Sequence, residues 1–165
     1  MSAATALRKR ALILLVCLVG LPALVGAYVT TAKKPERIAA GERLVPIQAT
    51  ALDHRSVTVT PDGRRGRVWL IVSASCAICR EELAEMERQP AADDVIVISL
   101  SDYKETEALM RSFPKTKEHT VVDDHKQLEA AFGKFRFPTS IVLDEQGLVL
   151  AKWRGRGRPG MTHVP

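Results

Sequence analysis

Between residues 56 and 150 the apolar positions fall into short runs that alternate with helical spacings. Ser56–Thr60 is a β-branched run ending at Pro61-Asp62-Gly63, a strand followed by a turn signal. Val68–Ser73 is a continuous apolar run, the mark of a strand buried on both faces. From Ala77 to Gln89, Ile78, Cys79, Leu83 and Met86 share one helical face, with Glu81, Glu85 and Arg88 on the other; Ser75 is placed to cap this helix and Pro90 follows its end. Val95–Ile98 reads as the next buried strand, and Lys104–Phe113 as a helix stopped by Pro114. Thr120–Val122 is a short strand, and His125–Phe132 a helix closed by Gly133. Ser140–Leu143 and Leu148–Leu150 flank Asp144-Glu145-Gln146-Gly147 as a hairpin. The order β-α-β-α-β-α-β-β predicts an α/β three-layer sandwich. Its sheet should be mixed and mostly parallel, with helices on both faces and an antiparallel edge.

Length and charge narrow this picture. The 165 residues leave room for one domain behind a leader. The net charge of +5 resides in residues 1–40, where Arg8, Lys9, Arg10, Lys33, Lys34 and Arg37 face only Glu36. The remainder carries 18 basic and 18 acidic residues, so a nucleic-acid partner has no support. Arg8-Lys9-Arg10 precedes an apolar stretch from Ala11 to Val29, long enough to span a membrane with the basic cluster on the cytoplasmic side. Val25-Gly26-Ala27 offers the alternative of signal cleavage, but Lys33 and Lys34 favour an uncleaved anchor. Cys17 reads as a small apolar residue within that segment. The expected organisation is 1–29 as anchor or signal, 30–40 as linker and 41–165 as an exported domain.

The candidate chemistry is Cys76-Ala77-Ile78-Cys79, set between the buried run and a helix. A helix N-terminus presents unpaired N–H groups and a partial positive charge, which favours a thiolate at Cys76. Cys79, three residues on, is within reach of a disulfide. Export puts the pair where disulfides persist. The competing chemistry is a copper or zinc half-site completed by a histidine such as His119 or His125. A single C-x-x-C with no second cysteine pair is a poor zinc site, so no metal and no cofactor is expected. Disulfide donation, using the same residues in the opposite direction, is a third possibility. A purely structural bridge is disfavoured, since a loop this small constrains little chain.

Several segments resemble the membrane-anchored bacterial thioredoxin-like proteins of the TlpA/ResA type. They are Gly41-Glu42-Arg43-Leu44-Val45-Pro46, Gly66-Arg67-Val68-Trp69-Leu70, Cys79-Arg80-Glu81-Glu82-Leu83, and Phe137-Pro138-Thr139-Ser140 through Asp144 and Gly147. The resemblance implies a thioredoxin-like sandwich and a cis Phe137–Pro138 bond facing the dithiol. Phe137, Pro138 and Thr139 would then hold an extended substrate segment by strand addition. It also implies that Glu82, one turn after Cys79, exchanges a proton with the second thiol. The implied activity is reduction of disulfides in exported client proteins, for example during haem- or metal-protein maturation, with a membrane electron donor to re-reduce the pair. Two departures stand out. Ser75 occupies the place where thioredoxins and many of these relatives have tryptophan. No amphipathic C-terminal helix follows Trp153–Gly160, which would leave one sheet face less covered. Arg154, Arg156 and Arg158 read as solvated charge.

Overall fold

The computed structural model describes residues 38–61, 68–88 and 95–155. All belong to the second of two units into which the chain divides, Pro35–Pro165. The anchor or signal segment, most of the linker, the Pro61–Gly63 turn beyond Pro61, Pro90 and the end of the basic tail lie outside the described residues. Among the described residues no helix is long and apolar enough to cross a membrane.

The elements are β1 (Ile47–Ala51), β2 (Ser56–Val59), β3 (Val68–Val72), α1 (Ala77–Arg88), β4 (Val95–Ser99), α2 (Tyr103–Met110), α3 (Pro114–Lys117), β5 (Thr120–Val122), α4 (Gln127–Phe132), β6 (Thr139–Leu143) and β7 (Val149–Arg154). One seven-stranded sheet runs in the order β2-β1-β5-β4-β3-β6-β7. It is mixed, as expected, but the parallel part is smaller than the strand–helix alternation suggests. Only β3–β4 and β4–β5 pair in parallel. The β1–β2 hairpin joins β5 antiparallel, and β6 enters beside β3 from the opposite end before turning into β7.

The all-apolar β3 splits its side chains between two cores, as the pleat requires. Trp69 and Ile71 pack with Leu128, Phe132 and Phe135, from α4 and the chain just after it, on one face. Val68, Leu70 and Val72 pack with Cys79, Leu83 and Met86 of α1 and with Leu109 and Met110 of α2 on the other. All five β3 residues are buried. The successive steps β3→β4→β5 move in one direction across the sheet, and right-handed crossovers therefore put α1 and α2 on the same side. The layers are α1 and α2, the sheet, and α4.

Helix ends follow local chemistry. Asp102 caps α2, accepting the Glu105 N–H at 2.8 Å. Pro114 does not simply stop a helix that reaches Phe113. The first helix ends at Met110 and Pro114 begins the short α3, where its missing N–H costs nothing. Buried Asp123 takes the N–H groups of Gln127 and Leu128, both at 2.9 Å, at the start of α4. Gly133 closes that helix at φ 86°. In the β6–β7 turn, Asp144 accepts from Gln146 and Leu148 N–H at 2.8 Å, and Gly147 sits at φ +76° against Pro61.

Candidate active site

β3 and β6 together bring the candidate residues to one end of the sheet. Their antiparallel register places Ile71 opposite Thr139. The C-terminal end of β3, which runs on to Cys76, therefore lies beside the residues that precede β6, namely Phe137 and Pro138. The Phe137–Pro138 bond is cis. Pro138 and Thr139 are buried and Phe137 is partly so. The Thr139 hydroxyl donates to the Arg136 carbonyl at 2.5 Å, and Pro138 C=O accepts the Gly155 N–H at 2.9 Å, tying the end of β7 to this turn. Phe137 and Cys76 pack against the same core cluster.

Cys76 and Cys79 form a disulfide with Cα atoms 5.2 Å apart. Their environments differ. Cys76 precedes the first helical residue and itself occupies the cap position, its Sγ accepting the Cys79 N–H at 3.1 Å. Ser75, the cap expected from the sequence, is one residue too early. Its hydroxyl meets that of Ser73 at 3.1 Å instead. Cys76 is partly exposed, whereas Cys79 is fully buried with Leu83 and Met86 beneath it. Ile78 departs from the expected apolar face: it is 44% exposed. A helix begun at Ala77 turns Cys79, Glu82, Leu83 and Met86 inward, the i, i+3, i+4, i+7 positions, and leaves Ile78 outside.

Glu82 is 9% exposed, one turn after the buried sulfur. Among the acids of α1 it alone is buried. His125 lies in the turn between β5 and α4, 3.8 Å from Asp124. Among the described residues no group of three or more His, Cys, Asp and Glu side chains is disposed to hold a metal ion.

A set of hydroxyls not anticipated from the sequence fixes the loop ahead of the dithiol. Ser101, after β4, accepts the Ala74 N–H at 3.0 Å and lies 3.2 Å from the Ser73 hydroxyl. Ser99 accepts the Ser101 N–H at 3.3 Å and meets Thr106 at 2.7 Å. Serines at strand ends are common in any sequence. The available signal was their occurrence just past two adjacent parallel strands, Ser73 after β3 and Ser99 and Ser101 at the end of β4.

This arrangement defines a class: an α/β sandwich with a helix-capping C-x-x-C and a cis-proline turn at one sheet end. Solved structures share the fold. No family model matches the chain. It is similar to "Thioredoxin-like protein YneN" of Bacillus subtilis, with 28% identity over 144 residues covering 83% of this chain and 84% of that protein. A putative thiol:disulfide interchange protein DsbE from Chlorobium tepidum superposes with TM-score 0.58 at 17% identity, covering 74% of this chain and 89% of that one. An exposed lipoprotein thioredoxin from Streptococcus pneumoniae superposes with TM-score 0.57 at 14% identity, covering 69% and 92%. The fold is thioredoxin-like, and it carries a disulfide-forming C-x-x-C pair.

Proposed function

We propose that the protein is a thiol–disulfide oxidoreductase that reduces disulfides of exported client proteins, held at the extracytoplasmic side of the membrane by its N-terminal segment. One observation carries this reading: the disulfide joins a reachable sulfur at a helix cap to a fully buried one. In the reduced protein the Cys79 N–H and the helix N-terminus stabilise the Cys76 thiolate. That thiolate attacks one sulfur of a client disulfide and expels the other as a thiolate, forming a mixed disulfide. Cys79 then attacks Cys76, releasing the second client sulfur and leaving Cys76–Cys79 oxidised. Glu82 takes the Cys79 proton as that sulfur becomes the nucleophile and returns one when the pair is re-reduced. The backbone of Phe137, beside cis-Pro138, pairs with the extended client segment, with Thr139 anchoring the turn.

The names of the structural neighbours, an interchange protein and an exposed lipoprotein thioredoxin, support the redox role and the extracytoplasmic location. The basic cluster and apolar run of residues 8–29 support the anchor. Clients whose cysteines must be free to take haem or a metal fit such a reductase, and a membrane electron donor must restore the dithiol. The test is the reduction potential of the Cys76–Cys79 couple, by equilibration with dithiothreitol or glutathione. A value near thioredoxin's, about −270 mV, supports the reductase. A value near about −120 mV makes the protein a disulfide donor and overturns the direction.

A further inference from the structure

Beside the dithiol, between α1 and α2, the surface opens into a hollow of about 370 Å³. Leu109 and Phe113, both buried in the core beneath, form its apolar floor. Ser75, Ala108 and Ser112 are small, and their size leaves the space open. Arg80 and Glu105 stand on the rim, both exposed. No residue of the cis-proline turn lines the hollow, and it takes no part in the exchange described above.

Resting on that redox reading, we propose that this hollow is a specificity pocket for an aromatic side chain of the client, one to three residues from its reacting cysteine. Position gives the first reason. Ser75 directly precedes Cys76 and Arg80 follows it by one turn, so a client bonded to Cys76 lies across the mouth. Chemistry gives the second. The Arg80 guanidinium has no ion pair or hydrogen bond among the described residues, and a guanidinium free of a carboxylate stacks well on an aromatic face. The Phe113 ring in the floor adds an aromatic partner. Glu105 on the same rim offsets the Arg80 charge, so a client carboxylate gains no net attraction there and a neutral ring is unopposed.

The test uses the reduced full-length protein and disulfide-linked hexapeptides with phenylalanine, aspartate or alanine one, two or three residues to either side of the cysteine. Second-order exchange rates are compared as the phenylalanine-to-alanine ratio, with glutathione disulfide as a reference substrate. One position should give a ratio of about ten, the gain of partly burying a ring. Ala108→Trp and Ser112→Trp, which fill the hollow from one side, should each bring that ratio to about one. Leu150→Trp, at an exposed site on β7, should leave it high. Ratios near one at every position, while the peptides still exchange, overturn the pocket and leave the oxidoreductase standing. A preference for aspartate over phenylalanine at the responsive position overturns the aromatic assignment. No exchange with peptides or glutathione disulfide removes the redox reading and this inference with it.

Discussion

Ser101→Ala removes one hydroxyl from the far side of the loop that carries Cys76. In the wild type that oxygen accepts the N–H of Ala74, a residue only 8% exposed, at 3.0 Å. A buried donor left without an acceptor costs about 1–3 kcal/mol. The lost contact to Ser73 adds little, because the Ser73 hydroxyl keeps Ser75 at 3.1 Å. The expected destabilisation is about 2 kcal/mol. For a domain of this size that is a fall in Tm of about 6–10 °C. Ser75→Ala supplies the comparison. Ser75 is exposed and among the described residues its hydroxyl has only Ser73 as partner, so its loss should cost under about 0.5 kcal/mol. Thermal unfolding of the oxidised protein, followed by circular dichroism, reads both, and keeping the disulfide closed prevents a change in cross-linking from contributing. Equal melting temperatures for the two variants would refute the argument, because the bond to Ala74 would then contribute nothing.

Glu82→Gln should slow turnover of a disulfide client by about a hundredfold or more, since general acid–base groups contribute on that scale; a wild-type rate in single-turnover exchange excludes Glu82 from proton transfer. Glu87, near the end of α1, accepts from Lys115 N–H at 2.9 Å, Thr116 N–H at 3.1 Å and the Thr116 hydroxyl at 2.9 Å. Burial pushes its pKa up, but these donors and the Lys115 charge outweigh it and hold the carboxyl below its usual value. A lowered carboxylate pKa stabilises the fold above the unfolded value, about 4.3, and that contribution is lost as pH falls through the lowered one. Urea midpoints of wild type and Glu87→Gln should therefore differ near neutrality and converge in acid; a constant gap denies the linkage. Gly147→Ala forces φ +76° on an alanine and sets its Cβ 2.7 Å from Pro61 Cβ. It should cost more than about 1 kcal/mol in chemical unfolding, and a neutral result would mean the β6–β7 turn is free to shift.

The dithiol was legible in the sequence because its signals coincide: a buried strand, a C-x-x-C and a helical pattern fall in immediate succession. The cis proline and Glu82 came through the resemblance; the Phe137–Pro138 bond is cis and Glu82 is buried. Other features depend on partners distant in sequence. Ile47–Ala51 has the weakly apolar pattern Ile-Gln-Ala-Thr-Ala and becomes a strand through pairing with β2 and β5, so it went unrecognised. Ile78 is apolar and one residue from the inward face, and a shift of the helix start by one position decides whether it is core or surface. The entry direction of β6 is set by the chain crossing the sheet after α4, which strand–helix alternation does not encode. Ser101 meets Ala74 across 27 positions, a separation at which no local pattern speaks.

Burial of one sulfur and exposure of the other has a kinetic consequence. In the proposed reductase cycle, electron donor and client both react at Cys76, because Cys79 is fully buried. Two partners that share that one sulfur cannot occupy the domain together, so the cycle proposed above is expected to be ping-pong: one partner leaves before the other docks. Reduced client, as product, then competes with the donor for the oxidised enzyme, and client disulfide competes with the donor for the same face. Flux is greatest at an intermediate supply of each, and an excess of either partner slows the cycle.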